Sequence, residues 1–177
     1  MNEPASPGPA DKDPRPDLVA LLPELRAYAR FLQRDRARAD DLVQETVLRA
    51  LSALKQFQAD SNLKAWAFTI LRRVFLEQTR RGKREDAALA THAHTTSDLQ
   101  QPHAADISDL SQMLWTLPPT LREALVLVGA QELTHEEAAA ICGVPTGTMR
   151  ARVSRARAKL AASYQQAQDP PVLTPDD

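Results

Sequence analysis

The 177-residue sequence is poor in cysteine, glycine and aromatic residues, and it has no long apolar run. Its single cysteine, Cys142, excludes a disulfide framework within the chain and a metal site built from several cysteines. A membrane-spanning helix is excluded because no stretch of about 18 apolar residues exists. Residues 1–17 also lack the apolar core of a signal peptide. We therefore expect a cytoplasmic protein without membrane contact.

Catalytic patterns are also missing from the sequence. It contains no glycine-rich phosphate loop, no metal-binding frame and no plausible nucleophile–base pair. We therefore predict no catalytic site, no cofactor and no metal, and a protein that is not an enzyme. Cys142 ends an apolar helical pattern next to a turn, and we interpret it as a small core residue.

Net charge is nearly absent as well, at −1, but its distribution is uneven. Residues 62–84 contain seven basic residues and one acidic residue, and residues 146–160 contain five basic residues and no acidic one. Two basic segments in a near-neutral chain are typical of a protein that binds a polyanion. A solvated helix face would explain either segment alone. Because each one ends an apolar helical pattern, nucleic-acid binding is favoured.

Apolar residues recur at helical spacing along most of the chain, and no segment alternates with period two. We therefore predict an all-α protein with two small helical domains joined by an acidic, flexible linker. The expected parts are a disordered N-terminal tail at 1–17, a first domain at 18–84, the linker at 85–113, a second domain at 114–163 and a disordered C-terminal tail at 164–177.

Three histidines lie in the linker: His92, His94 and His103. Without a frame of carboxylates or cysteines they do not indicate a metal site, and we interpret them as solvent-exposed.

Several helix starts are marked by capping residues. Ser61 or Asn62 is expected to cap a helix that begins at Leu63. Two segments have the spacing of a capping box, Thr120 with Glu123 and Thr134 with Glu137.

A helix-turn-helix is predicted from residue 135 to residue 160. Ala139 is small enough for close helix approach, Gly143 suits a left-handed turn, and Pro145 precedes the second helix. On that second helix an inward face is formed by Met149, Val153, Ala156 and Leu160. Arginine can recognise guanine in the major groove, and neighbouring polar groups suit phosphates. The candidate DNA contacts are therefore Thr148, Arg150, Ala151, Arg152, Ser154, Arg155 and Arg157.

The first basic segment combines cations with aromatic residues, a pattern that single-stranded nucleic acid requires. Trp66 and Phe75 lie on the apolar stripe of the predicted helix, and we interpret Trp66 as a core residue. The candidate strand contacts are Asp60, Ser61, Asn62, Lys64, Arg72 and Arg73.

A third patch contains acidic and polar residues near a helix start: Asp40, Asp41, Gln44, Glu45 and Leu48. Negative charge is favourable at a helix N-terminus, which is one explanation. The other is an exposed face for a protein partner, and periodicity does not distinguish them.

These segments together resemble bacterial sigma factors. Residues 40–50 resemble the conserved-region-2 helix that grips RNA polymerase, and residues 62–73 resemble the next helix, which helps to open the −10 element. Residues 117–127 and 136–160 resemble sigma domain 4. Their order, with a short linker between them, resembles the extracytoplasmic-function (group 4) sigma factors, most closely the general stress response subgroup of alphaproteobacteria.

The resemblance implies an alternative sigma factor that binds core RNA polymerase, recognises the −35 and −10 elements and initiates transcription of stress-response genes under anti-sigma control. It implies that the third patch docks on the β′ clamp helices, that the first basic segment captures the −10 strand, and that domain 4 meets the β flap and the −35 element. A monomer is expected for the free protein.

Two other functions remain possible for such a chain. A sigma-like decoy would titrate an anti-sigma factor without binding promoters, but it would not need the cations of either basic segment. A dimeric helix-turn-helix repressor would not explain the first 84 residues.

Overall fold

The computed structural model describes residues 13–58, 61–90 and 109–168. All regular structure in these residues is helical, which confirms the predicted all-α class. The helices are α1 (Arg15–Ala20), α2 (Leu22–Leu32), α3 (Arg36–Ala53), α4 (Leu63–Ala90), α5 (Asp109–Thr116), α6 (Pro119–Leu125), α7 (His135–Cys142) and α8 (Thr146–Gln168). A 3-10 turn at Leu54–Gln56 follows α3, and a π-helical turn at Val126–Ala130 follows α6.

The chain divides into two compact units, one built mainly of α1–α4 and the other mainly of α5–α8. In the first, α2, α3 and α4 pack against one another, and α1 packs on α2 and α4. At the centre the rings of Tyr28 and Phe68 are stacked with centroids 4.9 Å apart, and both side chains are fully buried. An offset aromatic pair of this kind stabilises a core beyond the area that it buries.

In the second unit, α6 packs along α8, and α5 packs on both. Its core contains Leu117, Leu121 and Ala156. Beside it the guanidinium of Arg122 lies 3.7 Å from the ring centroid of Trp115, a cation–π contact for a charged residue that is largely buried. Cys142, at the end of α7, is buried, as expected of a small core residue.

The capping predictions have different outcomes. Asn62, not Ser61, caps α4, because its Oδ1 accepts hydrogen bonds from the backbone N–H groups of Lys64 and Ala65. The box at Thr134 is confirmed by reciprocal bonds with Glu137. The box at Thr120 is wrong: α6 begins one residue earlier, at Pro119, and its N-cap Pro118 has no side-chain cap. Proline is favoured in the first turn because the amide it lacks would be unbonded there.

Helical structure extends past the predicted segment boundaries. The first helix begins at Arg15, α4 continues to Ala90, α5 begins at Asp109, and α8 continues to Gln168. The tail boundaries at 17 and 164 and the linker boundaries at 85 and 113 therefore do not coincide with helix ends. In α4 an ion pair of 2.7 Å between Arg81 and Glu85 joins neighbouring turns. The rest of the predicted tails and linker, with His92, His94 and His103, lies outside the described residues.

Candidate functional site

The buried residues and the basic residues of α8 lie on different parts of the helix surface. Met149, Val153 and Ala156 are buried. The candidate DNA contacts occupy the remaining surface, where Arg150, Ala151, Ser154, Arg155 and Arg157 are exposed and Thr148 and Arg152 are half-buried. None of Arg152, Arg155 and Arg157 forms an ion pair with another described residue. Their positive charge is therefore available to a polyanion.

The turn before α8 is defined by backbone geometry. Gly143 has a φ of +65°, the left-handed conformation that its lack of a Cβ permits. The N–H of Val144 donates to the carbonyl of Ala139 at 3.0 Å, which bonds the last turn of α7 to the chain beyond it. Two residues later α8 begins, and the N–H of Met149 donates to the carbonyl of Pro145 at 3.1 Å. These bonds set the direction in which α8 leaves the turn.

One cation of α8 has an acidic partner on α7. The Nη2 of Arg150 lies 3.0 Å from the Oε1 of Glu136. The pKa of the Glu136 carboxyl lies below its ordinary value, mainly because its own backbone N–H bonds to it and then because of Arg150. The sequence suggested no acidic partner for these arginines, since Glu136 is fourteen residues away from Arg150.

The candidate strand contacts lie around the start of α4. The hydroxyl of Ser61 donates to the carbonyl of Gln58 at 2.7 Å, and Asn62 caps the helix. Asp60 lies outside the described residues. Lys64 forms an ion pair of 2.8 Å with the Oε2 of Glu24, on α2. A DNA phosphate at this position would compete with that carboxylate.

Further along α4, Arg73 is exposed and Arg72 is half-buried. The two arginines therefore differ in how far they reach solvent, although they are adjacent in the sequence.

The aromatic residues of this segment are distributed differently from the prediction. Phe68 is the fully buried one, stacked on Tyr28. Trp66 is only half-buried, with its ring centroid 5.3 Å from that of Phe57. The buried face of α4 is therefore centred on Phe68 and not on Trp66.

The third patch lies on α3. Asp40, Asp41 and Gln44 are exposed, and the Leu48 side chain has an accessible fraction of 55%. Glu45 is half-buried and accepts a hydrogen bond of 2.7 Å from Arg49. Arg49 also contacts Glu77 on α4 at 2.5 Å, and these two carboxylates, Glu77 first, raise the pKa of its guanidinium.

Beside this patch an open groove of about 600 Å³ runs between α2 and α3. It is lined by Leu22, Arg26, Arg30, Arg36, Asp40, Val43, Gln44, Val47 and Leu48. None of the three arginines of this groove was predicted from the sequence. Arg26 and Arg30 are four residues apart on one helix, which predicts a shared face, but only the packing of α2 on α3 brings that face to the candidate docking residues.

Within residues 13–58, 61–90 and 109–168 no three His, Cys, Asp or Glu side chains are grouped as a metal site would require. Over the same ranges no helix has the length and apolar character that crossing a bilayer demands.

Comparison with known sequences identifies two regions of the chain. Residues 18–85 match Sigma-70 region 2, and residues 107–160 match Sigma-70, region 4. The chain is 47% identical over 150 residues to the ECF RNA polymerase sigma factor EcfG of Rhodopseudomonas palustris (strain TIE-1), which covers 84% of this chain and 83% of that protein. It is 36% identical over 140 residues to the ECF RNA polymerase sigma factor SigC of Mycobacterium tuberculosis, covering 74% and 72%.

Solved structures show the same fold. The sigma factor RpoE of Bartonella quintana, in complex with the anti-sigma factor NepR, is similar with a TM-score of 0.72 at 37% identity, over 85% of this chain and 96% of that one. The PhyRSL–NepR complex of Sphingomonas sp. Fr1 is similar with a TM-score of 0.68 over 94% and 96%. Its identity is 22%, so this second likeness shows a shared fold alone.

Proposed function

We propose that this chain, which belongs to the extracytoplasmic-function sigma factors, docks on core RNA polymerase, selects promoters through its −35 and −10 elements and is controlled by an anti-sigma factor. It is an alternative sigma factor of the type found in the alphaproteobacterial general stress response. The similar EcfG and SigC proteins are sigma factors, and the similar RpoE chain was solved with an anti-sigma partner. A regulator of transcription initiation of this type needs no catalytic site of its own.

The observation that carries the proposal is the exposed cationic surface of α8 beside the turn at Gly143. An α-helix fits the major groove of B-DNA, and an arginine can bond to two atoms of a guanine edge. Arg150, Ala151 and Ser154 would face the bases of the −35 element, while Arg152, Arg155 and Arg157 would lie on or near the backbone. Thr148, in the first turn of α8, would bind a phosphate.

Opening of the −10 element is assigned to the start and middle of α4. Arg73 is exposed and Arg72 half-buried on the same helix. Together with Asp60, Ser61, the capping residue Asn62 and Lys64, they would hold an unpaired base of the non-template strand. Lys64 would exchange its bond with Glu24 for a phosphate, so its contribution depends on competition between the two anions.

Polymerase docking is assigned to the α3 patch. Asp40, Asp41, Gln44, Glu45 and Leu48 would contact the β′ clamp helices, and the adjacent groove would extend that contact surface. The unit containing α8 would meet the β flap. The free protein would be a monomer in the cytoplasm, and the domain boundaries at 18–84 and 114–163 would separate polymerase and −10 binding from −35 binding.

The experiment is run-off transcription with core RNA polymerase that lacks other sigma factors, on a pool of genomic promoter fragments. We expect specific transcripts with the native chain and fewer with Arg150→Ala/Arg155→Ala. Lys159→Ala is the matched control, because it removes an exposed charge from α8 outside the candidate contacts. It should keep the same promoters active.

Two outcomes would contradict the proposal. If the control and the double variant lose the same transcripts equally, general charge and not promoter recognition explains the effect. If no transcripts form while an anti-sigma protein binds the chain tightly, it is a decoy, and the arginines form a protein-interaction surface. The decoy is not favoured, since three arginines of α8 have no ion-pair partner among the described residues.

A further inference from the structure

The ion pair between Glu136 and Arg150 connects the two helices of the helix-turn-helix. Glu136 lies in the first turn of α7, and Arg150 lies in the second turn of α8. Their contact atoms are 3.0 Å apart, and the side chains keep accessible fractions of 61% and 65%. Of the basic residues of α8, Arg150 alone is ion-paired with another described residue. The contact is therefore accessible to DNA and specific to one arginine.

The chemistry of the pair leaves Arg150 able to bind a base. Its guanidinium has five N–H donors in a planar fork, and only Nη2 contacts Glu136. A guanine edge needs two donors, so the remaining ones suffice. A long side chain that is already held in one direction loses less rotamer freedom when it binds. The pair thus orients the group without consuming its binding capacity.

The carboxylate has a second effect, on the choice between bases and backbone. A negative charge next to Arg150 repels phosphates, which are the alternative partners of any arginine on a recognition helix. Base edges carry no net charge and are not repelled in this way. Because the pKa of Glu136 lies below its ordinary value, the carboxylate is ionised at neutral pH.

We propose that Glu136 is a positioning residue for promoter discrimination: it holds the Arg150 guanidinium for base recognition at the −35 element and disfavours its use on phosphates. This inference rests on the proposed function, because it requires α8 to lie in the major groove. Glu136 itself need not contact DNA.

The test compares Glu136→Gln with Glu132→Gln in holoenzyme. Glu132 is exposed in the same unit and has no ion-pair partner among the described residues, so its substitution removes the same charge without altering Arg150. Binding is measured on an active promoter found by run-off transcription and on versions changed at single −35 positions. Glu136→Gln should reduce discrimination at one position by roughly threefold to tenfold, within the coupling range of side chains in contact.

Affinity for the altered promoters is the readout that separates positioning from damage. In the Glu136→Gln holoenzyme it should be unchanged or higher, because the repulsion of phosphates is reduced. A merely structural defect would lower affinity for every promoter alike. In an Arg150→Ala background the Glu136 substitution should have no further effect on discrimination, since the carboxylate acts through that arginine.

Three results would overturn the inference: equal effects of the two glutamine variants, a uniform loss of affinity, or an undiminished effect in the Arg150→Ala background. Failure of the proposed function is distinguishable from all three. It would appear as unchanged −35 discrimination in Arg150→Ala alone.

Discussion

Gly143 is the residue whose substitution best tests the physical account of the helix-turn-helix. Its φ of +65° lies in the left-handed region, and an added Cβ would meet no other part of the protein within 4 Å. The cost of Gly143→Ala therefore comes from backbone conformation and not from a clash. That conformation costs an L-residue about 1–2 kcal/mol, and alanine recovers roughly 0.4–1 kcal/mol by restricting the unfolded chain.

We expect Gly143→Ala to lower the free energy of unfolding of the helix-turn-helix by about 1 kcal/mol, which corresponds to a fall in Tm of roughly 4–8 °C for a small helical unit. Gly147→Ala is the matched control. Gly147 lies in the first turn of α8, without positive φ and with open space around a Cβ. Alanine should raise stability there by up to about 1 kcal/mol, because glycine disfavours helix. Gly143→Asn should cost less than alanine at the same position, since asparagine tolerates left-handed backbone.

The assay is thermal unfolding followed by the fluorescence of Trp115 in a Trp66→Phe background. The sequence contains two tryptophans, so Trp115 then reports alone. Its helix α5 packs on α6 and α8, so the probe reports on the unfolding of the unit that contains α8. The proposed backbone cost at Gly143 is contradicted if both alanine variants shift Tm in the same direction, or if Gly143→Ala is as stable as the parent.

Three further predictions concern a cap, a core residue and an ion pair. In chemical denaturation, Thr134→Ala should lower the free energy of unfolding by roughly 0.5–2 kcal/mol. Thr120→Ala should lower it less, since of these two threonines Thr134 alone caps a helix. Equal losses would contradict this. Phe68→Ala should lower the free energy of unfolding of the α1–α4 unit by about 3–5 kcal/mol. Circular dichroism would show this as early unfolding, and a loss below about 1 kcal/mol would contradict a central position for Phe68. In an NMR titration Arg150→Ala should raise the Glu136 pKa only partly, because its own backbone bond is the larger cause; full return to the ordinary value would show otherwise.

The sign of the pH dependence follows from the same pKa. Because the folded pKa of Glu136 is depressed, its contribution to stability is present above the unfolded pKa and is lost as pH falls through the folded pKa. Arg150→Ala should therefore change stability at neutral pH more than in acid, where the carboxyl is protonated in both states.

Local signals in the sequence predicted much of the helix-turn-helix. The box at Thr134, the left-handed turn at Gly143 and the buried positions Met149, Val153 and Ala156 depend on residues fewer than five positions apart, where spacing on a helix determines geometry. The box at Thr120 had the same spacing, but Pro119 began the helix earlier. A local rule therefore failed where a stronger local preference competed with it.

Local spacing did not predict which aromatic residue lies at the centre of the first unit's core. Trp66 and Phe68 lie on the same helix, and periodicity alone favoured Trp66. Phe68 is buried because Tyr28, forty residues earlier, stacks on it. The π-helical turn at Val126–Ala130 was not predicted from the sequence either. In the structure the N–H of Gln131 donates to the carbonyl of Val126 at 2.9 Å and closes this turn.

Composition and short-range spacing were enough to predict the helical class, the two basic segments and the turn of the helix-turn-helix. The motifs of the sequence, taken together, carried the resemblance to sigma factors. Tertiary structure alone decided which charges meet: Lys64 with Glu24, Arg49 with Glu77, and Arg150 with Glu136. It also placed the arginines of α2 beside the candidate docking residues of α3. Such contacts depend on how helices pack, and side chains distant in sequence become neighbours only when a core brings their helices together.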